Sequence, residues 1–326
     1  MERNRTTSPR QRQASRLSCR GPENSLSAER QCTIDGVRRP QMVNSAELEA
    51  RLRRVNSRQN ARVRELRRSF AEAAPNGQGE IAVEGMHLVE EAIRSGLRLS
   101  AVFIGESARE RAYKLLPQLS AHTEALLLPD DVFASAVPSD MPQGIAAMVQ
   151  PKSFSLDDAS TPAPALLVIT AGLQDPGNLG AIARSAEAFG VTGLLLGEHT
   201  VSQWNWKTVR ASAGSLFRLP TLKVELASTM QEVKSRGVRV LATSSHKGTP
   251  ISDADFCGPV AFLIGNEGAG IPKDLLTQAD SVVAIPQSAR VESLNAGIAA
   301  SIIVYEAARQ RREASRNESF PSPERR

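Results

Sequence analysis

Apolar positions fall into two α/β stretches separated by a polar interval. Between Ser45 and Phe70, the residues Leu48, Leu52, Val55, Val63, Leu66 and Phe70 recur at helical spacing. They predict a helix that can break at Asn56–Ser57. Pro75-Asn76-Gly77 reads as a turn. Short elements then alternate: strand Ile81–Val83, helix Glu84–Ser95 closed by Gly96, strand Leu99–Gly105, helix Ala108–Leu119, strand Leu126–Leu128, a helix N-capped by Asp130, and strand Ile145–Val149. Together these predict an α/β unit over residues 44–150. Residues 151–164 (PKSFSLDDASTPAP) have linker composition.

A second α/β unit, residues 165–312, starts with Leu166–Thr170, an apolar run of the kind a buried parallel strand shows. It continues as helix Leu179–Phe189 stopped by Gly190, strand Val191–Leu196, and a loop with a short helix at Trp204–Ala213. Strands Val238–Ala242, Val260–Ile264 and Ser281–Ile285 follow, then a long helix Leu294–Arg312 with Ile298, Ile302 and Tyr305 on one face. Residues 1–43 and 313–326 are polar and lack apolar periodicity, which predicts disorder. The first segment is either a basic arm or precedes a true start at Met42.

Composition narrows the class. Hydrophobic residues make up 41% of the 326, ordinary for a soluble protein, and no apolar run reaches the 18 or so residues of a membrane span. Cys19, Cys32 and Cys257 are scattered, and His87, His122, His199 and His246 are isolated. This argues against disulfides and a metal site and fits the cytoplasm. The net charge is +5, and residues 1–41, with nine Arg and four acids, account for all of it. Arg51–Arg68 holds eight Arg against one acid, Glu65. Arginine suits phosphate recognition, so nucleic-acid contact is expected there, with Arg62, Arg64, Arg67 and Arg68 as candidates.

Three Gly/Asn-rich segments each follow a strand: Asp175-Pro-Gly-Asn178-Leu-Gly180-Ala-Ile-Ala-Arg184; Gly265-Asn266-Glu267-Gly268-Ala-Gly270; and Ile285-Pro286 leading to Glu292-Ser293-Leu294-Asn295. In open α/β sheets ligands sit at the carboxyl ends of strands, so the three loops predict one composite pocket. Neither GxGxxG nor GxxxxGK followed by Ser or Thr occurs, which places a nucleotide-dependent oxidoreductase last among the readings.

The combination resembles the SpoU (TrmH-like) RNA methyltransferases of the SPOUT class. DPGNLGAIARSAEAFG is similar to their first motif, FLIGNEGAGIP to the second and IPQSARVESLNAGIAASIIVYEA to the third. The segment from Lys207 through Arg210 to Gly214 resembles a further family loop, whose Lys207 and Arg210 are RNA-contact candidates. Ile81–Ala92 resembles a ribosomal-protein-like substrate-binding domain. The resemblance implies an α/β SPOUT domain with a mainly parallel sheet and a deep trefoil knot, preceded by a small α/β substrate-binding domain. It implies S-adenosylmethionine bound at Thr243, Ser244, Gly265, Ile285 and Leu294, and a homodimer with the active site at the subunit interface. It also implies methyl transfer to a ribose 2′-hydroxyl by Arg184, near the pocket end of its helix, as base or phosphate clamp. Asn178, Glu267, Ser293 and Asn295 support it, with a Glu267–Arg184 pair as one arrangement. Large-subunit (23S) ribosomal RNA is the favoured substrate. Transfer RNA, or a non-catalytic RNA-binding assembly factor on the same fold, are the alternatives.

Overall fold

The computed structural model describes residues 49–288 and 290–319; the arm over residues 1–43 and the first part of the predicted helix, up to Leu48, lie outside them. Two sheets organise the chain. The first comprises β1 (Leu52–Arg54), β2 (Ile81–Glu84), β3 (Arg98–Gly105), β4 (Glu124–Leu128) and β5 (Ile145–Gln150), in the order β1-β4-β3-β5-β2. Helices α1 (Ala61–Glu72) and α2 (Met86–Arg94) belong to this unit.

The helix expected over Ser45–Phe70, able to break at Asn56–Ser57, is corrected in its first part. Leu52–Arg54 is a strand paired in parallel with Ala125–Leu127, and the helix begins only at Ala61, with Asn60 as its cap. Arg53 and Arg54 hold Glu124 and Glu106 across this edge, at 2.9 and 3.0 Å, partners that lie far away in sequence. The helix expected over Ala108–Leu119 is broken into short turns, one containing Pro117. Pro129, not Asp130, occupies the cap of the next helix; the Asp130 carboxylate instead accepts from the Ser107 N–H and hydroxyl. The linker contains a helix, Leu156–Ser160, fixed by a Ser155–Asp158 capping box.

The second sheet is parallel at every described pairing. It comprises β6 (Leu166–Thr170), β7 (Gly193–Leu196), β8 (Thr221–Lys223), β9 (Arg239–Ser244), β10 (Thr249–Pro250), β11 (Val260–Ile264) and β12 (Ser281–Ala284), in the order β10-β12-β9-β11-β6-β7-β8. Central strands β6 and β11 are buried along their whole length, which is why both read as unbroken apolar runs. Helix α3 (Pro176–Ala188) follows β6, α4 (Trp206–Ser212) follows β7, and α5 (Ala296–Ser319) ends the described chain. Helix α5 runs past Arg312 into the tail expected to be disordered.

Helices α3 and α4 pack closely because Gly180 lies between them. A Cβ there would sit 2.6 Å from the Thr208 carbonyl oxygen and 2.4 Å from the Ala211 methyl. The two sheets are not independent bodies: Val209 and Phe217 belong to the buried core of the first unit, with Trp204 packed against it. Arg311 of α5 donates to the carbonyls of Pro164, Ala165, Phe256 and Gly258 at 2.7–3.0 Å. This ties the last helix to the amino ends of β6 and β11. No helix among the described residues is long and apolar enough to cross a membrane.

Candidate active site

Strands β12, β9 and β11 are neighbours in the sheet, so the loops leaving their carboxyl ends meet. They enclose a cleft of about 540 Å³ lined by Thr243, Ser244, Gly265, Glu267, Ile285, Ser293 and Leu294, among others. All five residues expected to hold the cofactor are on this wall. The loop Gly265–Gly270 is shaped by Asn266, which is not among the candidate residues read from the sequence. Its Oδ1 accepts from the N–H groups of Gly268 and Ala269, both at 2.9 Å, and its Nδ2 donates to the Gly172 carbonyl at 2.7 Å. The local signal is present in the sequence: Asn before Glu-Gly folds back on its own main chain. Gly265 is required by close approach, since a Cβ there would lie 2.5 Å from the Gly270 carbonyl carbon. Gln287, also outside the candidate set, donates to the Ser245 carbonyl at 2.8 Å and joins two of the loops.

A polar chain leads from the cleft wall at Glu267 to the starts of α3 and α5. Asn178 Nδ2 donates to Glu267 Oε1 at 2.9 Å, and Asn295 Nδ2 donates to Asn178 Oδ1 at 2.8 Å. The three loop motifs are thus joined by three consecutive side chains. Asn178 is not the cap of α3: Asp175 is, accepting from the Asn178 N–H at 2.7 Å, with Pro176 in the first turn. Burial pushes the Glu267 carboxyl up. The Asn178 amide and the N–H groups of Glu267 itself, Gln174 and Asp175 outweigh this and hold it below the usual carboxylate range.

Arg184 does not lie at the pocket end. It is the ninth residue of α3, about 12 Å along the axis from Pro176, and it is absent from the cleft wall. It lines a separate open hollow with His87, Glu91, Glu187 and Arg218. It is exposed, and no hydrogen bond or ion pair engages it among the described residues. Glu267 therefore pairs with Asn178 rather than with Arg184. Of the arginines on α1, Arg62 is half-buried and bound to Glu124 and Glu65, at 2.5 and 2.9 Å. The Glu124 carboxylate raises its pKa further. Arg67 donates to the Ser135 carbonyl at 2.8 Å, Arg68 lies 3.8 Å from Glu72, and Arg64 is exposed. Lys207 and Arg210 are exposed on α4, with Lys207 over the Trp206 ring at 5.6 Å.

The cleft has the size of a small-molecule site. Ile264, Ile271, Ile285, Leu294 and Ile303 offer apolar walls to a flat ring, and Glu267 and Glu292 offer carboxylates to a cation. This donor set fits S-adenosylmethionine, which combines an adenine with a positive sulfonium. Fold and site together define a cofactor-binding α/β enzyme with its site at the carboxyl edge of a parallel sheet.

Comparison with known proteins names the family. Residues 165–305 match the SpoU rRNA Methylase family, and residues 82–155 match RNA 2′-O ribose methyltransferase substrate binding. The chain is 31% identical over 254 residues to the 23S rRNA (guanosine(2553)-2′-O)-methyltransferase RlmP of Bacillus subtilis, covering 78% of this chain and 98% of that protein. The crystal structure of the SpoU methyltransferase AviRb from Streptomyces viridochromogenes, in complex with AdoMet, superposes with a TM-score of 0.68 at 30% identity. It covers 78% of this chain and 98% of that one. An AdoMet-bound rRNA methyltransferase from Sinorhizobium meliloti gives a TM-score of 0.69 at 28% identity, covering 79% and 98%. The chain belongs to the SpoU family and is an S-adenosylmethionine-dependent RNA 2′-O-methyltransferase.

Proposed function

We propose that the substrate is large-subunit (23S) ribosomal RNA in the cytoplasm, and that the enzyme acts as a homodimer whose catalytic centre is shared between subunits. The likeness to the Bacillus subtilis 23S rRNA enzyme supports the substrate, and the observation that carries the shared centre is the separation of Arg184 from the cleft within one protomer, although both belong to one set of motifs. A second copy can bring them together. Beside the cleft, Ile298 and Tyr305 are 55% and 46% exposed. With Ala181, Phe189 and Ile302 they line an apolar hollow that also includes Asn295. An exposed apolar face continuous with a site residue suits an isologous contact. The reading includes the trefoil knot in the chain leading from Ile285 into α5. The match of residues 165–305 to the SpoU rRNA Methylase family supports it.

When bound, the cofactor supplies a methyl group made electrophilic by its sulfonium. The residues of the chain do the remaining work. Asn178, Glu267 and Asn295 hold the loops in one arrangement, and Ser293 presents a hydroxyl to the cleft. Arg184 meets the RNA with a planar, unpaired guanidinium. Arg184 clamps a backbone phosphate and stabilises negative charge developing on the ribose oxygen, while the proton of the hydroxyl passes to solvent water, which reaches the open hollow around Arg184. Exposed Arg64, Lys207 and Arg210 add phosphate contacts. Arg62 contributes to the fold instead, because its charge is spent on Glu124 and Glu65.

Subunit mixing tests the shared site. Arg184→Ala and the cleft-blocking Gly265→Val are each inactive as homodimers. After unfolding and refolding together, about a quarter of wild-type methyl transfer returns, because half the dimers are mixed and each carries one whole site. No recovery, with mixed dimers demonstrated by mass spectrometry, would place the whole centre within one subunit.

A further inference from the structure

The hollow around Arg184, of about 420 Å³, lies on the seam between the two α/β units. One wall is α2 of the substrate-binding unit, which contributes His87 and Glu91. The opposite wall is α3, which contributes Arg184 and Glu187. Between them stands Arg218, just after the turn Ser215–Phe217.

The Arg218 fork grips Glu187 with both arms, Nε to Oε1 at 2.5 Å and Nη2 to Oε2 at 3.0 Å. Its remaining nitrogen, Nη1, donates to Glu91 Oε2 at 2.7 Å and to Ser95 Oγ at 2.9 Å. The Glu91 side chain is only 8% exposed and also pairs with Arg94. One guanidinium therefore joins a helix of each unit, through partners 127 and 31 residues away in sequence.

Glu187 is three residues after Arg184, one turn along the same face of α3. Whatever fixes Glu187 relative to α2 fixes the Arg184 backbone relative to the unit that holds RNA. Arg218 has its charge consumed by two carboxylates, whereas Arg184 keeps its own. The first acts on the protein and the second on the substrate. The two units already share buried apolar contacts at Val209 and Phe217, and a bidentate, partly buried ion pair adds a directional restraint beside Arg184.

We propose that Arg218 is a positioning residue that latches the helix carrying Arg184 to the RNA substrate-binding unit, setting the distance between bound RNA and the Arg184 guanidinium. The proposal rests on the catalytic reading of Arg184. Arg218 touches neither the cofactor cleft nor the reacting atoms and acts through α3. Without it, Glu187 loses its ion pair, Glu91 keeps only the Arg94 of its own helix, and the seam loosens.

A double-mutant cycle tests the latch, read by single-turnover methyl transfer to RNA, with S-adenosylmethionine affinity measured by calorimetry and Tm alongside. Arg218→Gln slows transfer about 10–100-fold, the effect of a displacement near 1 Å. Its cofactor Kd stays within about twofold of wild type. The double variant Arg184→Ala/Arg218→Gln is no slower than Arg184→Ala, because the second change acts only through the first. Arg218→Lys, which keeps the charge and loses the fork, recovers part of the rate. If Arg218→Gln does not fold, Glu91→Gln cuts the same link from the other unit and takes its place in the cycle. A wild-type rate in the latch variant, or losses that multiply in the double variant, would overturn the latch while leaving Arg184 catalytic. A wild-type rate in Arg184→Ala alone would overturn the reading on which the latch rests.

Discussion

Replacing Asn178 by Asp changes one group and almost no volume, and it inverts the chemistry behind the cleft residue Glu267. The wild-type amide donates to Glu267 at 2.9 Å while its oxygen accepts from Asn295 at 2.8 Å. In Asn178→Asp the second bond survives, and the first becomes two carboxylates at contact distance. Two like charges 2.9 Å apart repel by about 1.4 kcal/mol in bulk water and about 6 kcal/mol at an effective dielectric near 20. Glu267 is exposed on one side and Asn178 is buried, so the cost lies between these limits. Each 1.4 kcal/mol or so is one pKa unit, and the pair escapes by sharing a proton at raised apparent pKa.

In the wild type the Glu267 pKa is lowered. Its contribution is complete above the ordinary carboxylate range and is lost only as pH falls through the lowered value, so binding is flat from pH 8 to 5.5. In the variant the pair has a raised pKa, and its bond is present at low pH and lost as pH rises. Calorimetry with S-adenosylmethionine at pH 5.5 and pH 8 reads the difference. Relative to wild type, Asn178→Asp binds about tenfold or more weakly at pH 8 than at pH 5.5, whereas Asn178→Ala is equally impaired at both. A variant as insensitive to pH as wild type would refute the reasoning.

Three further outcomes follow from other parts of the structure. Arg311→Ala, which removes a guanidinium bonded to four carbonyls, lowers stability in urea by about 3 kcal/mol; a loss below about 1 kcal/mol would show that the bonds contribute little net energy. Gly265→Ala places a methyl against the Gly270–Ile271 backbone and weakens cofactor binding about 10–100-fold through a loop shift costing 1–3 kcal/mol, while circular dichroism stays that of wild type. Burial raises the Glu84 carboxyl pKa, partly offset by the Gln143 N–H and Arg210, so ionising it costs stability as pH rises through that raised value. Glu84→Gln accordingly has a higher Tm than wild type at pH 8, with the gap closing at pH 4.

The parallel core was readable because a strand buried on both faces must be apolar throughout: Leu166–Thr170 and Val260–Ile264 are strands over those same residues. The cleft was readable because its loops carry Gly and Asn where the main chain must approach itself, as at Gly265 and Asn266. Strand β1 was not. Leu52 and Val55 fit a helical period locally, and the pairing that overrides it is with residues more than seventy positions away. The ion pairs of the arginine run were hidden for the same reason, since Arg53, Arg54, Arg58 and Arg62 meet Glu124, Glu106 and Asp131 only in the folded chain. The Ser155–Asp158 capping box lay in a segment whose Pro- and Ser-rich composition reads only as linker, so its short helix was not legible there. The displacement of Arg184 from the cleft depended on helix phase: six residues from Asn178 is about 240° around the axis.

The account stands on the identity of the acceptor atom. Wild-type enzyme and Arg184→Ala are each incubated with labelled S-adenosylmethionine and either unmodified 23S ribosomal RNA or transfer RNA. The RNA is then digested and the methylated nucleoside identified by mass spectrometry. The account predicts a single ribose-methylated nucleoside from 23S ribosomal RNA, reduced about 10²–10⁴-fold by Arg184→Ala. Methylation of a base, methylation confined to transfer RNA, or undiminished transfer by Arg184→Ala would contradict it.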